Sequence, residues 1–357
     1  MSSIDIRRFV DVNILPHELS TVNAARDTVV LFSTEVSENF DKIYKSYSEY
    51  IADETVKDLT NTTAYAKVYF DNGGNKLRII KVTSTDTLND EIMKLDNNYI
   101  VVALASTDNY SIMQSVATTR EANAKVYGIN QKILLARTNQ LTNLKIAKNF
   151  GVKYSKVIGA EMTIAAYLSN VNVYGNDSVQ DYAYTKEVIE AEPADDDILG
   201  NVLENNLNVD MLLANAVRNL GGNLTNGLDI VNQYVLIILH QTVTERILNL
   251  LSQKIKGSAG LSALYGAISQ ELGRYVSSGY LTTDKVWKDR TLEITYNNKN
   301  YKIIEQGTAL PLGYKVVILP LTSLNDDDVA QRKTPPIYVI LADSYSIRKV
   351  TINGEVI

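Results

Sequence analysis

The chain contains no cysteine. That excludes disulfides, thiolate metal sites and a cysteine nucleophile. Histidine is nearly absent too, with only His17 and His240. Neither has a local partner of the HExxH kind, so no metal-ligand or acid–base constellation forms around them. His17 falls in a polar N-terminal stretch and His240 at the edge of an apolar helical face, where packed or surface histidines are ordinary. There is no basic run and the formal net charge is -6, so the electrostatic footprint of a nucleic-acid binder is missing. Long apolar runs are also missing. The longest, Tyr234–Leu239, is far too short to cross a bilayer, and no membrane insertion is expected. The N-terminus, MSSIDIRRFVDVNIL, has neither an apolar signal core nor a small-residue cleavage site. The chain therefore reads as made and folded in a cytoplasm, where the Asn-x-Ser/Thr triplets at Asn61, Asn176 and Asn223 carry no weight.

Phosphate-binding loops are absent as well. No GxxxxGK(S/T) and no GxGxxG occurs, and the Gly73-Gly74 pair is not followed by a helix that could offer its N-terminus to an anion. GSAG at 257–260 follows a helix rather than a strand and is no nucleophile elbow. The acidic runs Asp195–Asp197 and Asp326–Asp328 lack the alternating spacing and closing glutamate of a calcium loop and read as solvated loops. Catalytic residues, metal ligands and cofactors are accordingly not expected.

What is present is an ordinary globular balance. Hydrophobic residues make up 45% and charged residues 21% of 357 positions, enough for two domains with sizeable cores. Tyrosine is over-used, 22 against 5 Phe and 1 Trp. It suits half-buried surfaces and interfaces, although a compositional bias toward Asn, Lys and Ile in the same chain explains it equally well.

Residues 4–14, IDIRRFVDVNI, place Ile4, Ile6, Val10, Val12 and Ile14 on one parity, interrupted only by Arg8. This is a half-buried strand without an adjacent partner, which must find a sheet edge elsewhere. From Thr28 an α/β alternation begins. Strands are expected at 28–33, 77–82, 99–106, 132–138 and 154–160, several as continuous apolar runs. Helices are expected at Glu38–Ile51, Thr62–Phe70, Tyr110–Gly128 (with Asp108 as N-cap), Thr142–Phe150 and Glu161–Val171. Such alternation predicts a doubly wound, mostly parallel sheet. A long helix is expected over Ile230–Lys256, with Val231, Val235, Ile238, Leu239, Val243, Ile247, Leu250 and Leu251 on one face. A second helix follows over about Leu261–Val276, then strands at 292–297, 301–306, 314–321 and 337–343. Asn297-Asn298 marks a hairpin between the first two. The last residues, SIRKVTINGEVI, are again strand-like, with Ile347, Val350, Ile352 and Val356 as the apolar set.

Four segments, in order, resemble the phage tail sheath family. TAYAKVYFDNGGNKLRIIKV (63–82) is similar to the family's helix ending in Phe-x-Asn-Gly-Gly before a strand. AAYLSNVNVYGNDSVQDYAYTKEV (165–188) resembles the helix, loop and aromatic segment that open its C-terminal domain. NLNVDMLLANAVRNLGGNLTNGLDIVNQYVLIILHQTVTERILNLL (206–251) resembles its Asn-rich entry, glycine-marked turn and long helix. TPPIYVILADSYSIRKVTINGEVI looks like its C-terminal strand segment. The sequence departs from the family at Tyr182, usually Trp, and at Gln233-Tyr234, usually Asp-Trp. The resemblance implies a non-enzymatic subunit stacked as hexameric rings around a tail tube, contracting to drive the tube through a host envelope. Its partners would be itself, the tube protein, and the baseplate and tail terminator proteins, within a virion tail assembled in the host cytoplasm.

The expected organisation is an N-terminal arm and linker (1–27), an α/β domain (28–178), an α+β domain (179–330) and a C-terminal strand arm (331–357). Polar linkers at 17–27 and 322–336 set the arms apart. The arms are expected to add strands to neighbouring subunits through Ile4, Ile6, Val10, Val12 and Ile14 and through Ile347, Val350, Ile352 and Val356. The competing functions are an α/β enzyme or nucleotide-binding protein, and another tail structural protein such as a tube or baseplate component.

Overall fold

The computed structural model describes residues 13–15, 29–95, 99–127, 132–174, 181–193, 195–251 and 257–344. The chain opens with a short strand β1 (Asn13–Leu15), then β2 (Val29–Ser33), β3 (Asp41–Tyr44), α1 (Tyr47–Ile51), α2 (Thr60–Asp71), β4 (Leu77–Lys81) and α3 (Leu88–Lys94). It continues through β5 (Val101–Ala105), α4 (Tyr110–Tyr127), β6 (Ile133–Thr138), β7 (Phe150–Tyr154), α5 (Met162–Ser169) and α6 (Asp196–Glu204). A hairpin of β8 (Asn208–Leu213) and β9 (Ala216–Leu220) precedes two long helices, α7 (Ile230–Leu251) and α8 (Gly257–Ser277). The last part holds β10 (Leu292–Tyr296), β11 (Lys299–Ile304), β12 (Tyr314–Ile318), α9 (Asp326–Ala330) and β13 (Ile337–Leu341).

The main sheet has eight strands in the order β3-β4-β2-β5-β6-β7-β8-β9. β4 through β8 run parallel, while β3 and β9 pair antiparallel at the two edges. Its central strands are buried on both faces, as their continuous apolar runs require. Val29, Leu31, Ile79, Ala103 and Leu135 face one core with α2, α5 and α7. Val30, Phe32, Leu104, Ala136 and Val152 face another with α3 and α4.

The sheet does not stop at residue 178. β8 and β9, at 208–220, continue it, so the expected division falls between two of its strands. The Asn-rich stretch hides this hairpin because Ala214 and Asn215 take left-handed φ values of 48° and 62° at a tight turn. Two expected helices are also corrected. Thr142–Phe150 is irregular chain leading into β7, and the expected strand at 154–160 lies four residues too late, since β7 starts at Phe150. Within Glu38–Ile51 the chain instead turns at Asn39 (φ 60°), forms the exposed edge strand β3, and restarts as α1 with Ser46 as N-cap. Asn109, not Asp108, immediately precedes α4, and its carbonyl accepts from Met113 N at 2.9 Å.

Both acidic runs are helix starts rather than loops. Asp195 caps α6, accepting from the backbone of Asp197 and Ile198, and Asn325 forms a capping box with Asp328 at α9. The polar stretch 322–336 is thus not a bare linker. It carries α9, and Asp328 is tied to Lys333 at 3.0 Å.

The second half is built around α7 and α8, which pack along each other. A small sheet in the order β1-β13-β12 lies between α8 and the β10–β11 hairpin. Ile337, Val339 and Leu341 join the α8 core, while Ile340 and Ala342 join Ile303, Leu310 and Leu319 on the other side. Asn297 and Asn298 close the hairpin at φ 48° and 60°, the left-handed pair a two-residue turn needs.

The Asn-Gly-Gly end of α2 has two separate causes. Gly73 sits at φ 79°, a conformation most side chains resist. Gly74 lies under the ring of Tyr69, where a Cβ would come within 2.4 Å. That ring is fully buried and its hydroxyl donates to Lys76 O at 2.9 Å, so it has no room to yield. Gly74→Ala should therefore cost about 1–3 kcal/mol through overpacking. Denaturant unfolding checks this, and an unchanged midpoint would show that the ring moves aside.

Candidate functional site

In an α/β sheet, ligands sit beyond the carboxyl ends of the strands, where the order reverses. Here that point lies between β2 and β5. The chain fills it with its own polar groups. After β2, Glu35 reaches the start of α2 and accepts from Asn61 N (3.1 Å), Asn61 Nδ2 (2.9 Å), Thr62 N (2.8 Å) and Thr62 Oγ1 (2.7 Å). Leu59, at the N-cap position, supplies no side-chain bond, so Glu35 does that work from outside the helix. A carboxylate thus occupies the helix N-terminus where a phosphate would be held in a nucleotide site. Partial burial alone would raise the Glu35 carboxyl, but the bonds from Thr62 and Asn61 outweigh it and hold it below its ordinary value.

Beyond β5, Asn109 is the hub of a buried network. Its Nδ2 donates to Tyr65 OH (2.9 Å), to Leu104 O (3.1 Å) and to Glu161, while its Oδ1 accepts from Arg137 N at 3.0 Å. The Arg137 guanidinium donates to Ser155 O at 2.9 Å and to Thr107 O. Glu192 accepts from Ser155 Oγ (2.9 Å) and Lys156 N (2.7 Å). Glu161 is fully buried, and burial pushes its carboxyl up despite the bonds from Asn109 and Tyr65. These groups brace the loops after β5, β6 and β7 against one another. Among the described residues, no three His, Asp or Glu side chains are grouped to hold a metal ion. No helix is long and apolar enough to cross a membrane, again among the described residues.

A hollow of about 330 Å³ lies beside β3 and β4, lined by Phe40, Ile80 and Lys81 among others, and the small sheet carries further open features. β1 pairs in parallel with β13, with Asn13 opposite Tyr338, Ile14 opposite Val339 and Leu15 opposite Ile340. Of the expected N-terminal arm set, Ile14 is therefore placed on the sheet of its own chain, while Ile4, Ile6, Val10 and Val12 lie outside the described residues, as does His17. Ile347, Val350, Ile352 and Val356 also lie outside them. On the other side, β12 pairs only with β13 among the described residues. Ala342 N donates to Gly313 O and Leu319 N to Pro336 O, so alternation turns the backbone groups of Tyr314, Val316 and Ile318 outward. Ser344, the last described residue, stands on the wall of a groove of about 870 Å³ that Leu236, Trp287 and Leu310 also line. His240 is buried within α7, its Nδ1 3.5 Å from Thr244 Oγ1, and takes part in none of this.

Comparison with solved structures places this architecture. The sheath complex of the PVC extracellular contractile injection system, in its contracted state, matches at a TM-score of 0.63 and 15% identity, over 97% of this chain and 96% of that one. The chain has the fold of contractile sheath proteins. A chain of the anti-feeding prophage baseplate matches at 0.66 and 13% identity, over 97% and 98% of the two chains. The contracted helical sheath of the same prophage matches at 0.62 and 14%, over 97% and 99%. No protein-family model matches the sequence, and no curated protein does.

The helix-end carboxylate was invisible to sequence reasoning, because Glu35 lies 26 residues from Asn61. Its stabilisation should be present above the ordinary carboxyl pKa and be lost as pH falls through the depressed one. Glu35→Ala should cost about 0.5–2 kcal/mol at neutral pH, the range for a lost helix cap, and nearly nothing in strong acid. Thermal melts over that pH range test this, and an equal penalty at both ends would overturn it.

Proposed function

We propose that this chain is the subunit of a contractile tail sheath. It polymerises as stacked hexameric rings around a tail tube and contracts to drive that tube through a host envelope. The observation that carries this reading is the end-to-end match to sheath chains, over 97% of the sequence. Order β4-β2-β5-β6-β7 with helices over both faces supports a doubly wound first half. The match to sheath chains speaks against an enzyme or nucleotide-binding protein, and the long α/β portion against a tube protein. The partners are further copies of the chain, the tube protein, and baseplate and terminator proteins. The setting is a phage tail or tail-like particle assembled in the host cytoplasm.

The terminal arms are the proposed inter-subunit contacts, through Ile4, Ile6, Val10 and Val12 at one end and Ile347, Val350, Ile352 and Val356 at the other, while Ile14 pairs with β13 of its own chain. The outward backbone groups of β12 suit the role of acceptor, since strand addition takes its affinity from main-chain bonds and its register from alternate side chains. Such a head-to-tail contact does not close on itself and so propagates as a helical polymer.

Removing residues 1–12 should leave β1 in place and yield a folded, soluble protein that forms no long cylinders in negative-stain micrographs. Normal cylinders from the truncated chain would sink the arm assignment. Register is tested within the arm. Ile6→Asp with Val12→Asp should abolish cylinders, while Asp5→Asn with Asp11→Asn, on the other parity, should not. Equal effects would show that the alternation is not read by a partner.

The full chain expressed without a tube should assemble directly into the wide, contracted lattice and need no nucleotide. Contacts between subunits must favour that lattice if contraction is to release free energy, with tube and baseplate holding the extended form. An extended narrow lattice without any tube, seen by cryo-microscopy, would refute this mechanism.

A further inference from the structure

Lys153 lies in the middle of β7 with no exposure to solvent. Its ammonium is 2.7 Å from Asp210 Oδ1 on β8 and 2.9 Å from Glu187 Oε2. It also donates to Tyr182 OH (2.8 Å), Thr163 Oγ1 on α5 (3.1 Å) and Asn219 Oδ1 on β9 (3.1 Å). The Tyr182 and Thr163 hydroxyls bond each other at 2.8 Å. The side chains of Asp210 and Glu187 are 0% and 4% exposed, so the cluster is sealed.

Tyr182 and Glu187 belong to a strap, residues 181–192, that runs along the outer edge of β9. Tyr184 N donates to Asn219 O (2.7 Å), Asn219 N to Thr185 O (3.0 Å) and Glu187 N to Val217 O (3.0 Å). Lys186 bridges Arg218 in antiparallel sense. The strap thereby covers backbone groups at the last edge of the main sheet, which would otherwise be open to another chain. Glu192 N donates to Asp210 O at 2.8 Å and closes the strap's far end.

The charges do not balance as drawn. One ammonium faces two carboxyl groups where water cannot reach, and an uncompensated buried charge costs several kcal/mol. We propose that the cluster keeps one proton on Asp210, shared with the Glu187 carboxylate, and that this proton clasps the strap over the sheet edge. Alkaline pH removes it and loosens the strap. Burial pushes both carboxyls up. At Glu187 burial is outweighed by the Lys153 charge together with hydrogen bonds from Asp210, Tyr182 and Lys153, which hold it below the ordinary range, whereas at Asp210 burial and the Glu187 charge prevail and hold it well above. A carboxyl raised in the folded state contributes stability that is full below its unfolded pKa and is lost as pH rises from there through the raised value.

The test uses the full chain. At neutral pH its infrared spectrum should show the C=O stretch of a protonated carboxyl, shifted in heavy water. Asp210→Asn and Glu187→Gln should each lose that band, because either leaves a single carboxylate for Lys153. Any band from buried Glu161 stays in both, and Glu161→Gln identifies it. Absence from the wild type of any band that these two variants remove would overturn the proposal; if a variant does not fold, the Glu161→Gln protein decides, supporting the proposal if it keeps a protonated-carboxyl band and overturning it if it keeps none. The cysteine-free background allows a second readout, with Thr185→Cys as a reporter on the strap. Its thiol should gain labelling rate at alkaline pH in the wild-type cluster, severalfold over the same reporter in Asp210→Asn. Equal rates in the two backgrounds would show that the proton does not hold the strap.

Discussion

Burial of α7 on nearly every side is the constraint on which the rest of the structure depends. From Ile230 to Thr244 almost every side chain is withdrawn from water, including Gln233, His240, Gln241, Thr242 and Thr244. Each fully buried Val, Leu or Ile contributes about 1.5–3 kcal/mol. A helix buried all round needs walls all round. The main sheet supplies one, where Ile230 lies against Gly151 of β7, and α8 supplies another. The small sheet then covers α8. One core runs from Leu31 through Ile237 to Val339 and makes the two halves a single body. Buried hydroxyls along α7 are satisfied within it, Thr242 donating to Leu239 O (2.9 Å) and Thr244 to His240 O (2.8 Å).

The same economy shapes the mouth of the main sheet. An α/β sheet leaves helix N-termini and loop carbonyls converging at one end, and those groups demand partners. A binding protein leaves some of them for a ligand. Here Glu35 takes the helix end, Asn109 and Arg137 take the loop carbonyls, and Glu192 takes the amide of Lys156. Partners supplied by the chain itself are always present, so the network rigidifies the end of the sheet.

Where sequence and structure agree, periodicity carried the information. The apolar runs of β2, β5 and β6, the helices α2 and α4, and the hairpin at Asn297-Asn298 are legible because local pattern and burial point the same way. β7 was misplaced for a physical reason. FGVKY reads poorly as a buried strand because of Gly151 and Lys153. Gly151 is there because a Cβ would meet Leu135 at 2.9 Å and Ile230 at 3.0 Å, and Lys153 because it anchors five oxygens beneath the strap. A residue that serves a distant partner carries no local signature. The face expected of α7 is buried from Val231 to Ile247; the burial of Gln233, His240, Gln241, Thr242 and Thr244 on its other sides was missed, since elements far away in the chain cover them. The helix starts at Asp195 and Asn325 were missed although their capping signals are local, because the acidic runs beside them read as solvated loops.

A single continuous core limits where a subunit of this kind can change shape. Core packing is close to that of a crystal and does not shear by degrees, so an internal hinge would have to cut through α7 and give up much of its burial. The stretch 322–336 is no softer, because α9 and the Asp328 bonds to Tyr296 and Asn297, both 2.9 Å, fasten it to the β10–β11 hairpin. On the proposed reading, the difference between an extended and a contracted lattice then falls on contacts between bodies, made by the segments beyond Ser344 and before Asn13. Rigid bodies moving on terminal tethers are a known switching mode. Strand pairing suits such tethers, because its bonds run through the backbone and survive when the bodies they join rotate.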